Sequence, residues 1–536
     1  MYRTIFLIFC VCLASCSSNH KNTSEPTVRI NFHSEPTSLD PRLVRDLPSM
    51  TISRMLFEGL FRASDDGATP ALAHSMTISE DLCTYSFELR PSCWSDGSAV
   101  TAYDFEYAWK SVLHPHSLSE SAQQLFIIVG AKEAKLGKIP TQDIGVQAIN
   151  QNVLVVRLER PDPYFLERLC HPVACPVPSK LLSKQPNWDH CYNKNFVCNG
   201  PFILDKWEHG DHLRVTKNPL YWDKNAVQLH SIFITMVEDE HTELNMYENG
   251  ELDWAGSPNS SVPPEALPHL KTLLPDELFI QPLAGTYCYK FNTKLPPFNN
   301  AKIRQAFSRA IERQPLIDNI LQAGQLAACH LIPPCLNIDQ GAFCTLTHPR
   351  ALFEEGLEEM GWTRQTMPTI TLIFSRSEKH QKVAQAVQQQ WNQIFDIKVN
   401  LQSYEWNIFL EKLARGEYQV GGRGWIGEFS DPKSFLEIYL YDNQHELGSG
   451  NDTGWEDPLF RTLLERADQT TDKHLRDQLL AEAESRLLSS CAISPIYHST
   501  ACYLKKPYLK NVYLSKFCDL DFKTAYLENS NASCMR

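Results

Sequence analysis

Residues Gly422 to Gly427 are the first candidates for chemistry, because they fit the pattern G-x-G-x-x-G. In a dinucleotide-binding site, such glycines let the backbone approach a pyrophosphate at the N-terminus of a helix. Here Asp431 and Pro432 interrupt the segment that follows, and the bulky Trp425 would crowd that close approach. The sequence therefore predicts no dinucleotide cofactor at this motif.

Nucleophiles, carboxylates and metal ligands form no recognisable catalytic pattern elsewhere in the sequence. The zinc-protease pattern His-Glu-x-x-His, the hydrolase pattern Gly-x-Ser-x-Gly and the P-loop of NTPases are missing. Glu428 and Asp431 could form a carboxylate pair for sugar hydrolysis, but surface carboxylates are common. The cysteines lack the Cys-x₂-Cys spacing of zinc sites, which favours free buried thiols or a few disulfides. We predict no enzyme activity, no metal and no cofactor.

The N-terminal residues predict export. Arg3 precedes an apolar run that is too short for a hydrocarbon core, which needs about 20 apolar residues. The run is instead typical of a signal peptide over residues 1–15. Its ending, Leu-Ala-Ser-Cys16, also resembles the lipobox of bacterial lipoproteins, in which the cysteine is acylated. We therefore expect Cys16 to anchor the protein to a membrane on the extracytoplasmic side, with residues 16–27 as a polar leash.

Length and charge restrict the remaining possibilities. A chain of 536 residues exceeds what one hydrophobic core usually organises, so two or three lobes are expected. The net charge is -13, and the 50 Lys and Arg residues are scattered rather than clustered. Since phosphate binding needs a dense basic face, we predict no nucleic-acid partner. We expect a soluble monomer beyond its anchor.

Periodic segments indicate where strands and helices lie. Alternating apolar residues predict strands over 84–90 and 153–158. Thr101 and Asp104 have the spacing of a helix N-cap, and Asn299-Asn300 can cap a second amphipathic helix.

The second half of the chain has its own regular pattern. Residues 369–402 have the periodicity of strand, helix and strand, which implies a parallel strand pair in an α/β lobe. A helical region opens at Asp457-Pro458 and breaks near 469–472.

Eight short motifs follow one another along the chain: Ser38-Leu39-Asp40-Pro41; Leu56-Phe57-Glu58-Gly59-Leu60; Trp94-Ser95-Asp96-Gly97 with Val100-Thr101-Ala102 and Asp104-Phe105; Asn199-Gly200-Pro201-Phe202; Asn218-Pro219-Leu220-Tyr221-Trp222-Asp223; Asn249-Gly250-Glu251-Leu252-Asp253; Phe298-Asn299 with Ile303-Arg304-Gln305-Ala306; and Gly424-Trp425 before Asp431-Pro432. Together they resemble the peptide-binding proteins of bacterial ABC importers, in particular the oligopeptide-binding branch of solute-binding protein family 5. Each motif alone is weak, but eight in the family's order are specific.

The resemblance implies an α/β fold of the periplasmic-binding-protein type, with two hinged lobes and an additional third domain. Lobe I is expected over 28–47, 183–285 and 498–536, the extra domain over 48–182, and lobe II over 286–497. The lobes are expected to close over an extended peptide, which is held mainly through its backbone.

The resemblance also implies site residues. The family's amine-binding aspartate lies three residues after the tryptophan of the Gly-Trp motif, where this chain has Glu428. A carboxylate is kept, so an α-ammonium group can still receive a charge-assisted hydrogen bond. The other positions implied to lie near the ligand are Gly424, Trp425, Ile426, Asn245 and Tyr247, although a buried structural role is about as plausible for Tyr247.

Two departures from the family pattern concern the same segment. The family arginine that precedes the tryptophan is Gly422 here, and Arg423 follows one step later, on the opposite face of a strand. Carboxylate recognition therefore cannot be carried over, and Arg415 is the substitute that we expect. The disulfide that some relatives form at this motif is also missing, because Ile426 and Gly285 occupy its positions.

We predict a lipid-anchored extracytoplasmic solute-binding protein that captures short peptides and delivers them to the membrane subunits of an ABC permease. The same fold could serve dipeptides, cell-wall peptides or a chelated metal. Two alternatives come from other classes of protein: a surface lipoprotein whose ligand is a macromolecule, and a tethered hydrolase.

Overall fold

The computed structural model describes residues 25–65, 67–182, 188, 195–336, 348–440, 451–470 and 472–528. The signal segment and Cys16 lie outside the described residues. Among the helices in the described part of the chain, none is long and apolar enough to cross a membrane.

The strands and helices alternate along the chain. The strands are β1 (Thr27–Phe32), β2 (Phe61–Ser64), β3 (Gly67–Pro70), β4 (Ala73–Ile78), β5 (Thr84–Leu89), β6 (Val146–Ala148), β7 (Val153–Arg157), β8 (Phe202–Glu208), β9 (His212–Lys217), β10 (Ser231–Met236), β11 (Trp254–Gly256), β12 (Leu278–Phe291), β13 (Leu326–Ala327), β14 (Ile370–Ser375), β15 (Val399–Tyr404), β16 (Val420–Ile426), β17 (Ile493–Lys505), β18 (Leu509–Lys510), β19 (Tyr513–Leu514), β20 (Leu520–Asp521) and β21 (Tyr526–Leu527). The helices are α1 (Leu47–Leu56), α2 (Ala102–Val112), α3 (Ala131–Lys135), α4 (Phe165–Arg168), α5 (Ser179–Leu182), α6 (Glu240–Glu248), α7 (Leu267–Leu273), α8 (Ala301–Arg309), α9 (Arg313–Leu316), α10 (Pro349–Met360), α11 (Glu378–Phe395), α12 (Trp406–Ala414), α13 (Lys433–Leu436), α14 (Pro458–Gln469) and α15 (Lys473–Ser490).

The periodic segments of the sequence fold as predicted. The strand predictions over 84–90 and 153–158 correspond to β5 and β7, which pair antiparallel. Thr101 and Asp104 form a capping box at the start of α2, and the Asn300 side chain accepts a hydrogen bond from the backbone of α8. β14 and β15 are parallel and flank α11 in the chain. The helical region after Asp457 breaks between α14 and α15, as predicted.

One mixed sheet runs through most of the described structure. Its strand order is β15-β14-β16-β12-β17-β11-β1-β10-β9-β8, and β13 pairs with β17 beside this path. A separate four-stranded antiparallel sheet has the order β4-β5-β7-β6. Helices with apolar faces cover these sheets, which makes the fold a mixed α/β architecture.

The strands β12 and β17 join the two ends of the main sheet. They are 14 and 13 residues long and pair antiparallel from Leu278 with Leu504 to Lys290 with Ile493. The register shifts between Pro282 and Thr286 and again after Tyr287. Proline has no backbone N–H for the ladder, so such a site weakens and bends a strand pair.

Separate hydrophobic cores lie on either side of this strand pair. The first core includes β1, β8 to β10, α1, α2 and the four-stranded sheet, together with C-terminal residues 501–525. A second core includes β14, α8 and α11, and a third includes α14 and α15. We call the elements that form the first core, together with the C-terminal residues 501–528, body A, and the elements that form the second and third cores, including β16 and the loop that follows it, body B.

Most of the described cysteines are free thiols. Ten described cysteines are free thiols, and Cys329 is disulfide-bonded. Burial raises the pKa of the Cys175, Cys198 and Cys288 thiols to about 12, so these groups stay protonated and unreactive near neutral pH. Six of the ten free thiols are buried, which agrees with the expectation of free buried thiols or a few disulfides.

Candidate functional site

A cavity of about 400 Å³ lies between body A and body B. Body A contributes residues of α1, of the β2–β3 turn, of α4 and of the C-terminal segment 513–519. It also contributes Glu120, Ser121 and Gln123 from the segment between α2 and α3. Body B contributes Arg423, Trp425, Ile426, Gly427, Glu428 and Ser430. Three of the residues predicted around the Gly-Trp motif therefore line a cavity of the size that binds small ligands, namely Trp425, Ile426 and Glu428, and Gly424 lies next to them in the strand.

The glycine-rich motif forms strand β16 rather than a strand-to-helix turn. β16 pairs antiparallel with β12 along its whole length. Its other side pairs with β14 only at Val420, Gly421 and Gly422. Among the described residues, no strand pairs with that side of residues 423–426, so their backbone edge is open beside the cavity. The rejection of a dinucleotide site agrees with this geometry, because no helix begins at the motif.

The two faces of β16 differ. A side chain at Gly422 would overlap the Tyr287 hydroxyl and lie close to the Tyr289 ring. Arg423 points to the other face, where its Nη1 lies 3.8 Å from Asp452 Oδ2. The predicted opposition of positions 422 and 423 is therefore confirmed, and Tyr287 explains why an arginine does not fit at 422.

Glu428 lies in the loop that follows β16, at the contact between the two bodies. The side-chain amide of Gln124 in body A donates a hydrogen bond to the Glu428 carboxylate. Burial and, to a smaller extent, the nearby Glu437 carboxylate raise the pKa of Glu428 to about 8, while Arg168 opposes this shift. Because the Glu428 carboxylate is poorly solvated, a positively charged ligand group that reaches it through the cavity would stabilise its ionised form.

A set of contacts that we call the clasp joins Tyr164, Glu167 and Arg168 of body A to the loop after β16. Glu167 Oε2 accepts a hydrogen bond from the backbone N–H of Ser430 at 2.7 Å. The Arg168 guanidinium lies 3.8 Å from the centre of the Phe429 ring, and Tyr164 packs 6.0 Å from the same ring. The clasp crosses from body A to body B within a few residues of Glu428.

Further ion pairs extend the clasp outward. Arg160 Nη2 lies 2.9 Å from Asp468 Oδ2, and Asp468 also pairs with Lys433 at 2.6 Å. Arg168 lies 3.8 Å from Glu437 and is also bound to Asp162 within body A. Closure of the two bodies therefore depends on side chains, whereas no backbone ladder crosses at this point in the described residues.

Three of the predicted ligand-binding residues lie elsewhere. Asn245 and Tyr247 are on α6, and neither lines the cavity. The Tyr247 hydroxyl donates to Glu277 at 2.5 Å, which suits the structural role that the sequence left open. Arg415 follows α12 and pairs with Glu411 at 2.5 Å, also away from the cavity. A ligand contact of these residues stays a prediction.

Gly285 and Ile426 are direct partners in the β12–β16 ladder. A Cβ atom at Gly285 would overlap the Ile426 side chain, so the isoleucine occupies the space that glycine leaves open. Where the resemblance implied a disulfide in relatives, this chain has an apolar contact against body A.

Sequence reasoning missed Gln124, Glu167 and Arg168. Each is a polar residue of an ordinary surface type, and none belongs to a motif that predicts a ligand. They lie about 260 to 300 positions before Glu428 in the chain, and only the packing of body A against body B brings them to it. The Asp162-Pro163 pair could have located the start of α4, but not its contact.

Comparison with known proteins gives a consistent picture. The family described as bacterial extracellular solute-binding proteins, family 5 Middle, matches residues 67–446. The oligopeptide-binding protein OppA of Bacillus subtilis is 37% identical over 543 residues, covering 98% of this chain and 98% of that protein. Haemophilus influenzae OppA, solved in complex with the peptide RPPGFSPFR, matches with a TM-score of 0.85 and 27% identity, covering 94% of this chain and 99% of that chain.

The murein tripeptide-binding protein MppA matches in two structures. Escherichia coli MppA matches with a TM-score of 0.85 and 27% identity, covering 94% of this chain and 99% of that chain. The unliganded open form of MppA matches with a TM-score of 0.69 at the same identity, covering 94% and 98%. Bodies A and B are therefore arranged more as in the peptide complex of OppA than as in that open form.

Proposed function

Because the chain belongs to family 5 of the bacterial extracellular solute-binding proteins, we propose that it captures short peptides outside the cytoplasmic membrane and delivers them to an ABC permease. Body A then contains lobe I, over 28–47, 183–285 and 498–536, and the extra domain, over 48–182. Body B is lobe II, over 286–497. Both boundaries of lobe II fall inside β12 and β17, the strands shared by the two bodies.

The observation that carries this proposal is the position of Glu428 at a cavity between two bodies. A receptor that tolerates many side chains must hold groups that every peptide shares, and the α-ammonium is one of them. Its charge would compensate a carboxylate that protein burial leaves poorly solvated.

The open edge of residues 423–426 supplies the second shared element of recognition. An extended peptide can add to a free strand edge through main-chain hydrogen bonds, and its side chains then alternate between the two faces. The edge ends two residues before Glu428, so a peptide bound there could place its N-terminus at the carboxylate. Gly424, Trp425 and Ile426 are thus proposed to bind ligand through their backbone.

Calorimetry on four combinations tests the amine anchor: free and N-acetylated peptide, each with the natural protein and with Glu428→Gln. Removing one partner of a desolvated charge pair costs about 2 to 5 kcal/mol, or roughly thirty-fold to several thousand-fold in affinity. Acetylated peptides should bind weakly to the natural protein, and Glu428→Gln should reduce the difference in affinity between free and acetylated peptides. Equal affinity for both peptides would exclude amine anchoring, and a gap that survives the substitution would assign the amine to another carboxylate.

We also propose that Cys16 carries a lipid anchor, which would keep the receptor near its permease. The support is the Leu-Ala-Ser-Cys ending of the apolar N-terminal run. Cys16→Ala should release the protein from membranes. Continued incorporation of labelled fatty acid into the variant would contradict the anchor.

Cell-wall peptides are a second candidate ligand, because E. coli MppA matches as closely as H. influenzae OppA. The two ligand classes differ in composition and therefore in mass. Mass spectrometry of ligands that co-purify with the folded protein decides between them.

A further inference from the structure

The charged groups that line the cavity are mostly compensated within the protein. Arg45 pairs with Glu120 at 3.1 Å, and Arg54 pairs with Asp519. Three further carboxylates line the cavity: Asp65, Glu167, which accepts the Ser430 N–H, and Glu428, which accepts the Gln124 amide. Of these, Glu428 is the group that we have assigned to the ammonium group of the peptide.

Arg423 is different, because its nearest carboxylate is already taken. Asp452 Oδ1 accepts a hydrogen bond from the buried Lys290 ammonium at 2.6 Å. Arg423 Nη1 lies 3.8 Å from the other oxygen, Oδ2, which is beyond hydrogen-bonding range. That oxygen has no hydrogen-bond partner among the described residues. Among the described residues, two cations thus share one carboxylate, which leaves one positive charge without a carboxylate of its own.

This positive charge lies where a ligand can reach it. Arg423 lines the main cavity and also a smaller one of about 10 Å³ on the other side of Trp425, next to Lys290. Its side chain is 22% exposed, so it is neither sealed in the core nor fully solvated. Lys516 lines the main cavity from body A, where its ammonium lies 5.2 Å from the centre of the Phe517 ring. Burial raises the pKa of the Cys335 thiol, and the Lys516 ammonium lies close enough to that thiol to oppose the rise.

We propose that Arg423, assisted by Lys516 from the opposite body, binds a carboxylate group of the peptide. The inference rests on the proposed peptide-binding function. It assigns the residues that bind the carboxylate of the peptide, which stay unassigned because this chain has Gly422 at the position of the family arginine. Arg423 provides a planar fork of donors that matches a carboxylate, and Lys516 adds a point charge from the other body. The ligand is then held between Glu428 at its cationic end and Arg423 at an anionic group.

The carboxylate can come from two sources, the C-terminus or an acidic side chain. Equimolar libraries of peptides of two to five residues separate them, one library with free C-termini and one with C-terminal amides. The full mature chain, freed of co-purified ligand, is incubated with each library, and captured peptides are identified by mass spectrometry. Selected peptides are then titrated by calorimetry.

The expected result is capture of free-acid peptides at least tenfold more tightly than of neutral amides. Capture of amides that contain Asp or Glu, but not of other amides, would identify the acidic side chain as the source. Arg423→Gln should remove most of this preference, and Arg423→Lys should restore part of it. Arg364→Gln is the matched control, because Arg364 is a surface residue that pairs with Glu354 and Asp396 within body B.

Equal capture of free acids and amides by the natural protein would overturn the anion site while leaving peptide binding intact. A preference that survives Arg423→Gln would also overturn it. Capture of no peptide from either library would contradict the proposed function itself, and the anion site with it. The comparison of acids with amides in the natural protein decides the question even if Arg423→Gln does not fold.

Discussion

Two of the junctions between bodies A and B differ in kind. At β12 and β17 they share a continuous strand pair, with backbone hydrogen bonds and fully buried side chains such as Tyr289. At the clasp they are joined by side chains, through one carboxylate-to-backbone bond, a cation over an aromatic ring and partly exposed ion pairs.

This difference shows which junction can open. Separating β12 from β17 would break a ladder of backbone bonds and expose two cores, at a cost comparable to unfolding. Separating the clasp exposes polar groups that water can solvate, so its cost is modest. The strand pair therefore acts as the hinge and the clasp as the closing contact, and a ligand that touches both bodies biases only the second.

Tyr289→Ala should give the largest effect, on stability rather than on binding. Its ring is fully buried in the second core, 5.9 Å from the Trp391 ring. Removing a large buried aromatic side chain typically lowers the free energy of unfolding by about 3 to 5 kcal/mol. Urea unfolding measures the change. Tyr289→Phe is the matched control, because the hydroxyl has no hydrogen-bond partner among the described residues and its loss should be nearly neutral. A loss of peptide affinity without a loss of stability would contradict the role of the hinge.

The affinity for peptides should rise by up to about tenfold per pH unit between pH 6 and 8. Free Glu428 has a pKa of about 8, so below that pH it must lose a proton before it can pair with an ammonium group. The histidines near the hinge should not change protonation in this range, because burial lowers the pKa of His498 to about 4 and of His380 to about 3. Calorimetry in buffers of different ionisation enthalpy measures the released proton. The slope should disappear in Glu428→Gln, and an equal slope in that variant would assign the proton to another group.

Glu167→Ala should lower the affinity for all peptides by a similar factor of about ten. A hydrogen bond to a charged group contributes about 1.5 to 3 kcal/mol, and hydrogen bonds to water replace part of this contribution. The lost bond, to the Ser430 N–H, crosses from body A to body B, so we expect it to form only when the bodies are closed. Glu159→Ala is the matched control, because Glu159 accepts the Gly130 N–H within body A. The gap between free and acetylated peptides should stay unchanged. A change in that gap would mean that Glu167 contacts the ligand itself.

Arg160→Gln should have the smallest effect, a loss of affinity of about 1.5-fold to 5-fold, because a partly exposed ion pair contributes about 0.2 to 1 kcal/mol. Arg160 is 40% exposed, and Asp468 keeps Lys433 as a second partner. The loss should shrink further at high salt, which screens exposed charges. A salt-independent loss of tenfold or more would show that the outer clasp is more than a surface contact.

Local signals in the sequence predicted several of the elements correctly. Alternation at 84–90, the capping box at Thr101 and the strand-helix-strand unit at 369–402 depend on neighbours only a few residues away. The resemblance of eight motifs supplied the fold class, because an ordered set of motifs identifies a family even where no single motif does. Glu428 came from the same source, and the structure places it at the cavity.

The sequence by itself determined the α/β character, the family and a carboxylate after the Gly-Trp motif, because each of these depends on neighbouring residues or on their order; the export signal that it predicts stays a prediction. Only the tertiary structure decided what surrounds that carboxylate. Gln124 and Arg168 reach Glu428 from the other body, and Lys290 leaves Arg423 without a carboxylate of its own by occupying Asp452. Such contacts depend on how two separately packed cores face each other across a shared strand pair. No local pattern of residue types encodes this arrangement, because the residues in contact lie far apart in the sequence.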